Sequence, residues 1–396
     1  MSNSQLTIAI CARNAAETIE RAIASVVKEP ECPILLIDDN CTDDTVARAR
    51  RIAGDRLTVI TNKESRGISV ARQTALMAIK TPLATWLDAD DEWIPGRAAR
   101  FVEALKNADI STEPIELYEG PTGKFLRLMD SPEFLQREVT PARLFERNYL
   151  ACDTQVGFRT AIFRDAGGYD PALDRAESYD ILLRAILKGA RFHYGKTPGY
   201  KMYAYPGSLS RQLDKQRAAT TAVLRKFSYD EVRKLCLSVG EPPRVAGWVL
   251  TAMALYRGEP QKALTLIEEA SPADADPNEI LEPDGPLPAR EGWRRAFQRG
   301  TILLLIGGQD AVAAKELQKA EGFEGTAEGA NNLGVALARL GQLPDAQKFF
   351  DLSESRFPGY LDAKLNRQDT TPSRITTHPL RRQASRSEYA TPAARK

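Results

Sequence analysis

The segment LATWLDADDEWIP carries an apolar run into Asp88-Ala89-Asp90-Asp91. Side-chain alternation along a strand puts Asp88 and Asp90 on the same side. Two hard oxygen ligands so placed can hold Mg2+ or Mn2+ beside a diphosphate, whose departing charge the cation neutralises. Alone, D-x-D is a weak motif, because acids before Pro95 also suit the positive end of a helix. An EF-hand is excluded: counting from Asp88, the loop has Trp93 and Ala99 where glycine and glutamate are required. The run ILLIDDNCTDDT ends a second apolar stretch in Asp38-Asp39. A carboxylate there can accept hydrogen bonds from a base or sugar lying across a sheet edge. Helix capping by Thr42 and its neighbours accounts for Asp43 and Asp44 but poorly for Asp39. In NKESRGISVAR, Gly67 permits close backbone approach before a helix, and Arg72, one turn in, can reach a phosphate or base.

The composition narrows the chemistry further. The 396 residues carry 54 basic and 53 acidic side chains, a formal charge of +1, so no global field draws in nucleic acid or membrane. Only two histidines are present, leaving almost no material for a histidine triad or multi-histidine metal site. Acid, base and metal work therefore falls to carboxylates. Cys11, Cys32, Cys41, Cys152 and Cys236 contain no C-x-x-C pair, which argues against a disulfide framework or thiolate zinc site. With no signal-peptide pattern and no transmembrane-length apolar run, a cytoplasmic protein is expected.

The elements that must position these residues are legible in the spacing. Short apolar runs at Leu6–Ala12, Ile34–Asp38, Leu57–Thr61 and Leu83–Asp88 alternate with amphipathic segments at Ala16–Lys28, from Thr42, and at Gly67–Lys80. That is the pattern of a mostly parallel α/β sheet, which binds ligands at the carboxyl ends of its strands. Ile115–Leu117 and Phe125–Leu128 read as a hairpin, Arg143–Asn148 and Asp174–Lys188 as helices, and Phe192–Tyr194 and Gly199–Tyr205 as strands. Beyond about Arg211 only helices are expected, with a helical linker over 212–242. Leu304, Gly308, Ala313 and Leu317 recur 33 positions later as Leu337, Gly341, Ala346 and Phe350, a tetratricopeptide-like spacing. A weaker copy lies around Ala254, so helical hairpins are expected over 243–366. Within them, 271–290 holds five prolines and five acids and reads as an inserted loop. Residues 367–396 hold seven basic and two acidic side chains with few core formers, and read as a disordered tail.

Taken together and in this order, LTIAICARN, LLIDDNCTDDT, SRGISVARQTAL, LATWLDADDEWIP, IFRDAGGYDPAL and ESYDILLRAILKGARF make residues 1–211 resemble the family 2 glycosyltransferases of the GT-A fold. The resemblance implies a Rossmann-like, mixed but mostly parallel sheet flanked by helices. It also implies transfer of a sugar, with inversion, from a nucleotide-sugar donor to a glycan or peptide acceptor. By that pattern Cys11 and Arg13 line the nucleotide pocket with Gly67, Asp39 binds the base, and Arg72 contacts the nucleotide. Asp88 would meet the ribose or sugar, and Asp90 the divalent ion, Mn2+ or Mg2+.

Two positions depart from the family pattern. An acidic pair is usual at the start of the Asp174–Lys188 helix, with the second member as general base, yet Ser178 stands there. A serine cannot take a proton near neutral pH, so Glu177 is the nearest replacement, with Asp180 or Asp174 as alternatives. A histidine often precedes the Pro206-Gly207-Ser208 turn as a metal ligand, and this chain has Tyr205. These departures motivate a second expectation, a catalytically degenerate fold acting as a nucleotide- or glycan-binding module. A haloacid-dehalogenase phosphatase fits less well, since its D-x-D follows the first strand. The helical repeats could hold a peptide acceptor or serve a homodimer.

Overall fold

Leu6–Ala12, Ile34–Asp38 and Leu83–Asp88 are apolar runs without polar alternation, as strands buried on both faces require. They form β1, β2 and β4, while β3 (Leu57–Thr61) is half exposed at the sheet edge. The structure, a computed structural model, describes residues 5–29, 32–64, 67–150, 153–205, 213–272, 274–280, 290–369 and 374–376. One compact unit holds the chain to Phe227 apart from 132–134 and 145–147, which group with a second unit running from Ser228.

In the first unit, α1 (Ile19–Val26), α2 (Thr45–Ala53) and α3 (Ile68–Ala78) follow β1, β2 and β3 as crossovers. Later come β5 (Glu92–Trp93), α4 (Arg97–Ala104), β6 (Ile110–Thr112), β7 (Ile115–Glu119) and β8 (Phe125–Met129), then the short α5 (Glu133–Gln136), whose first two residues group with the second unit. β9 (Val156–Arg159), α6 (Thr160–Asp165), α7 (Glu177–Leu187), β10 (Phe192–Tyr194), β11 (Tyr200–Ala204) and α8 (Leu213–Leu224) complete it. A seven-stranded sheet runs β10-β6-β9-β4-β1-β2-β3, parallel except for β9, which is antiparallel to β4 and β6. A second sheet runs β5-β11-β7-β8. The mixed, mostly parallel sheet flanked by helices is the fold class that the residue pattern implies.

Register brings the chemical residues together. Cys11 lies beside Asp88 on one side and Ile37 on the other, Ala12 beside Asp38, and Asp38 beside Thr61. Four strand ends thus share one edge. Leu6, Ile8, Ile10, Ile34, Leu36 and Leu87 pack with Ile19, Ile23 and Val26 of α1 as a fully buried core that fixes this edge. Burying each such side chain contributes roughly 1.5–3 kcal/mol.

Several elements differ from the spacing-based expectation. Helix α2 starts at Thr45 rather than Thr42; the Thr42 backbone N–H donates to Asn14 Oδ1 at 2.8 Å in the loop that precedes it. Asp43 accepts from the Ala16 N–H at 3.0 Å and from the Thr45 hydroxyl, lacing the loop after β2 to the loop after β1. The segment Arg143–Asn148 is not an α-helix; one 3-10 turn, Ala142–Phe145, stands at its start. β6 and β9 were not legible in the sequence, being three and four residues long.

The second unit is helical: α9 (Tyr229–Ser238), α10 (Pro243–Arg257), α11 (Pro260–Ala270), α12 (Glu291–Ile306), α13 (Asp310–Phe323), α14 (Ala327–Arg339), α15 (Leu343–Arg356) and α16 (Leu361–Gln368). α10 packs on α11, α12 on α13 and α14 on α15. Most of the 271–290 insertion, residues 273 and 281–289, lies outside the described residues. Of the 367–396 tail, Arg367 and Gln368 end α16, and Arg374–Thr376 are seated against the helices; 370–373 and 377–396 lie outside the described residues.

Close crossings rest on small residues. A Cβ added at Gly334 would fall 2.5 Å from the Phe350 ring. Gly334→Ala is therefore expected to destabilise this unit by about 1–3 kcal/mol, read as a lower thermal midpoint of its helical signal.

Candidate active site

Arg72 stands at the centre. It projects from α3, 4% exposed, and its guanidinium spans Asp88 at the end of β4 and Glu177 at the start of α7. Nη1 donates to Glu177 Oε1 at 2.6 Å and to the Ser178 hydroxyl, and Nη2 lies 3.4 Å from Asp88 Oδ1. The same group sits 5.5 Å from the Trp86 ring centroid. Burial pulls the guanidinium down, and Glu177 and Asp88 more than reverse this, holding it above the usual arginine range. Its charge is permanent.

Local chain geometry explains how α3 and α7 present these groups. Gly67 caps α3 at φ 92°, a conformation that other residues rarely adopt, so glycine is required there. Gly168 has φ 72°, and an added Cβ would strike Gln73 Oε1. Gln73 accepts from the Tyr169 N–H at 2.8 Å, and the Ser69 hydroxyl donates to the Leu173 carbonyl. The GGYDPAL turn is thereby tied to α3 and sets where α7 begins. Among the described residues, positive φ outside glycine occurs at Asn14, Asn40 and Ala176. These immediately follow β1, follow β2 and precede Glu177, so strained backbone gathers where the chemistry does.

The carboxylates divide by environment. Asp38 is structural, accepting from the Cys41 N–H at 2.8 Å and the Thr61 hydroxyl at 3.1 Å. Asp39, 4% exposed, accepts from Asn62 Nδ2 at 2.9 Å. Asp91 is a strap for the second sheet, taking the Tyr200 hydroxyl at 2.8 Å and the Tyr203 N–H at 2.7 Å. Asp90 does not continue the strand: the Asp91 N–H bonds back to the Asp88 carbonyl at 3.2 Å, so a turn and not alternation sets its place. Burial pushes the Asp90 carboxyl up, while Arg21 pulls it down.

Asp88 keeps 41% of its side chain accessible, yet the surrounding protein displaces enough water to push its carboxyl up to about 6. Arg72 opposes this shift, and Asp90 and Glu177 add to it. Because the folded value exceeds the ordinary 3.8, the ionised carboxylate costs stability, fully above about pH 6 and not below 3.8. Asp88→Asn is therefore expected to raise the thermal midpoint at pH 7.5, with the gain vanishing as pH falls to 4. Unfolding scans across that range check it.

Cys11 lies in the same cluster, its thiol pushed up to about 12 by burial, with Arg72 opposing and Asp88, Asp39 and Glu177 reinforcing. It stays a neutral thiol. Arg13 lies exposed just past β1 and joins none of these contacts. Asp180 is a clear departure from expectation. Fully buried, it is held by Arg184 Nη2 at 2.6 Å and Lys226 Nζ at 2.8 Å, so both oxygens serve a structural ion pair. Three-residue spacing from Glu177 did not put it on the Arg72 side. Asp174, 85% exposed, pairs only loosely with Arg175.

Two contributors escaped the sequence. Tyr169 is 2% exposed and feels both Arg72 and Glu177. The GGYDPAL block holds it, but nothing in spacing marks its aim. Arg21 of α1 donates to the Asp90 backbone carbonyl, reaches the Tyr205 hydroxyl at 3.3 Å and Glu92 at 3.4 Å, and stacks 3.9 Å over the Tyr203 ring. It places a fixed positive charge beside Asp90. Tyr205, where the family resemblance expects histidine, is thus tied to that arginine.

The sequence model of the family described as Glycosyl transferase family 2 matches residues 7–167, which span the ends of β1 to β4 and stop short of Glu177. The succinoglycan biosynthesis protein ExoU of Rhizobium meliloti (strain 1021) is 33% identical over 236 residues, covering 54% of this chain and 67% of that protein. The chain belongs to the family 2 glycosyltransferases. A further relative of this family 2 chain is the UDP-Glc:alpha-D-GlcNAc-diphosphoundecaprenol beta-1,3-glucosyltransferase WfgD of Escherichia coli, 28% identical, covering 28% of this chain and 45% of that protein. In fold, this glycosyltransferase resembles the crystal structure of S. aureus TarS 1-349 in complex with UDP-GlcNAc. The TM-score is 0.50 at 14% identity, over 89% of this chain and 91% of that one.

Proposed function

We propose that this family 2 glycosyltransferase uses a nucleoside-diphosphate sugar and passes the sugar, with inversion, to an acceptor hydroxyl on a glycan or peptide. One observation carries the reading: Arg72 joins Asp88, at a strand end, to Glu177, at the start of α7, inside a cluster shared with Cys11. Asp39 and Asn62 suit a base edge, and Asp88 suits a ribose or sugar hydroxyl. Glu177 Oε2 makes no hydrogen bond among the described residues, so Oε1 anchors on Arg72 while Oε2 takes the acceptor proton.

A divalent cation fits as a guest of Asp90. No three His, Cys, Asp or Glu side chains gather into a ready metal site among the described residues, but Asp90 offers a hard oxygen in a partly dehydrated place. The donor's diphosphate oxygens would complete its shell. Mn2+ or Mg2+ there supplies neutralisation of the leaving diphosphate. Among the described residues Cys11, Cys32, Cys41 and Cys236 are thiols, which suits a reducing cytoplasmic setting, and no described helix is long and apolar enough to cross a membrane. The helical unit reads as tetratricopeptide-like.

Calorimetry with UDP-, dTDP- and GDP-sugars tests the donor site. Binding is expected only with Mn2+ or Mg2+ present, and Asp90→Asn should weaken it by at least about tenfold. No heat with any donor, or an Asp90→Asn protein that binds like wild type, counts against the reading. The Arg72 bond to Glu177 also favours a second reading, a site that binds donor without turning it over.

A further inference from the structure

Three asparagines sit inside helices of the second unit with almost no solvent contact: Asn331 and Asn332 at 0% in α14, and Asn366 at 3% in α16. Asparagine is a poor helix former, and a buried amide without partners costs free energy. Their partners are the backbone of a short separate segment, Arg374–Thr376. Asn366 pairs with both backbone groups of Arg374, donating to its carbonyl at 2.8 Å and accepting from its N–H at 3.1 Å. Asn332 does the same for Thr376, donating at 2.9 Å and accepting at 2.8 Å. Two side chains therefore read residues i and i+2, the spacing at which an extended chain turns the same edge to a neighbour.

The asparagines are themselves braced. Asn331 accepts from Asn366 Nδ2 at 3.0 Å and donates to Asn332 Oδ1 and the Arg374 carbonyl, each at 3.1 Å. Asn332 also donates to the Thr301 hydroxyl of α12 at 2.9 Å. Such a network fixes each amide's orientation before any strand arrives. Side-chain contacts add selectivity. Ile375 packs on the helical core, Thr376 is fully buried, and its hydroxyl lies 3.0 Å from Asp362 Oδ2 and against the Tyr360 hydroxyl. The Arg374 side chain is exposed and unselected.

We propose that these helices form a binding site for an extended peptide carrying an aliphatic residue followed by threonine or serine, and that Arg374–Thr376 occupies it in cis. Backbone pairing by asparagine makes affinity largely independent of sequence, while Asp362 and Tyr360 demand a hydroxyl at one position. The tether supplies a local concentration of roughly millimolar, so a peptide in trans of micromolar affinity is held off by up to about a thousandfold until the cis segment leaves. The inference is independent of glycosyl transfer: its readout is peptide capture, and failure would leave donor binding untouched.

The test uses the full chain and a fluorescent peptide of sequence TPSRITTHPL, residues 371–380. Thr376→Pro removes the N–H given to Asn332 and the hydroxyl held by Asp362, emptying the site. Anisotropy should show micromolar binding to Thr376→Pro and at least about 100-fold weaker binding to wild type. Asn332→Ala with Asn366→Ala in the Thr376→Pro background should abolish it. A peptide with valine in place of the threonine matching Thr376 should bind at least about tenfold more weakly. A Thr376→Pro protein that melts like wild type yet ignores the peptide overturns the proposal. So does one whose helical unit no longer melts cooperatively, since the segment is then a structural strap. Thr376→Val, which keeps the backbone pairing, should show intermediate peptide binding with an unchanged melt; no gain over wild type would equally contradict it.

Discussion

Replacing Arg72 with methionine is expected to lower the unfolding free energy by about 3–5 kcal/mol and to cut turnover by about a thousandfold or more. Methionine fills similar space beside Trp86 but leaves Glu177, with 8% of its side chain exposed, as a buried acid facing no cation. The penalty arises from that stranded charge more than from the lost attraction. Arg72→Lys should recover only part of both losses, because one ammonium cannot span Glu177, Ser178 and Asp88 as the guanidinium fork does. Chemical denaturation at pH 7.5, with steady-state rates on the best donor, checks both statements.

Glu177→Gln should reduce kcat by about a thousandfold while leaving donor affinity within about twofold. Glutamine keeps an oxygen for Arg72 Nη1 to bond, so the guanidinium stays in place and the donor side is undisturbed. Only proton uptake is lost. Single-turnover rates beside donor titrations separate the two effects. Unchanged turnover would move the base to another group, and wild type already devoid of turnover but able to bind donor would favour the non-catalytic reading.

The donor half of this site was legible because its strands are legible. β1, β2 and β4 are apolar runs buried on both faces, each followed by a turn or a helical period, so their ends and the acids beyond them could be read with little error. Where position depends on a turn, spacing misleads. Asp90 is set by the bend after Asp88, and Asp180 is turned by Arg184 and Lys226 into a private ion pair. β9 lies in the middle of the large sheet, but Val156–Arg159 is too short to show a period. Arg21 and Tyr169 enter the site through tertiary packing alone, Arg21 from a helix face that reads as ordinary solvated surface. The asparagines of α14 and α16 were equally silent, since their partner lies in a tail whose composition suggests no structure.

The most direct test of the central claim is a donor-hydrolysis screen. Wild type and Asp88→Ala with Asp90→Ala would be incubated with a panel of nucleotide sugars and Mg2+ or Mn2+, and free nucleoside diphosphate measured. At least one donor should be cleaved slowly by wild type, only with the ion, and not by the double variant. Equal release by both proteins, or none from any donor that calorimetry shows to bind, would contradict a role for these strand-end acids in departure of the nucleotide.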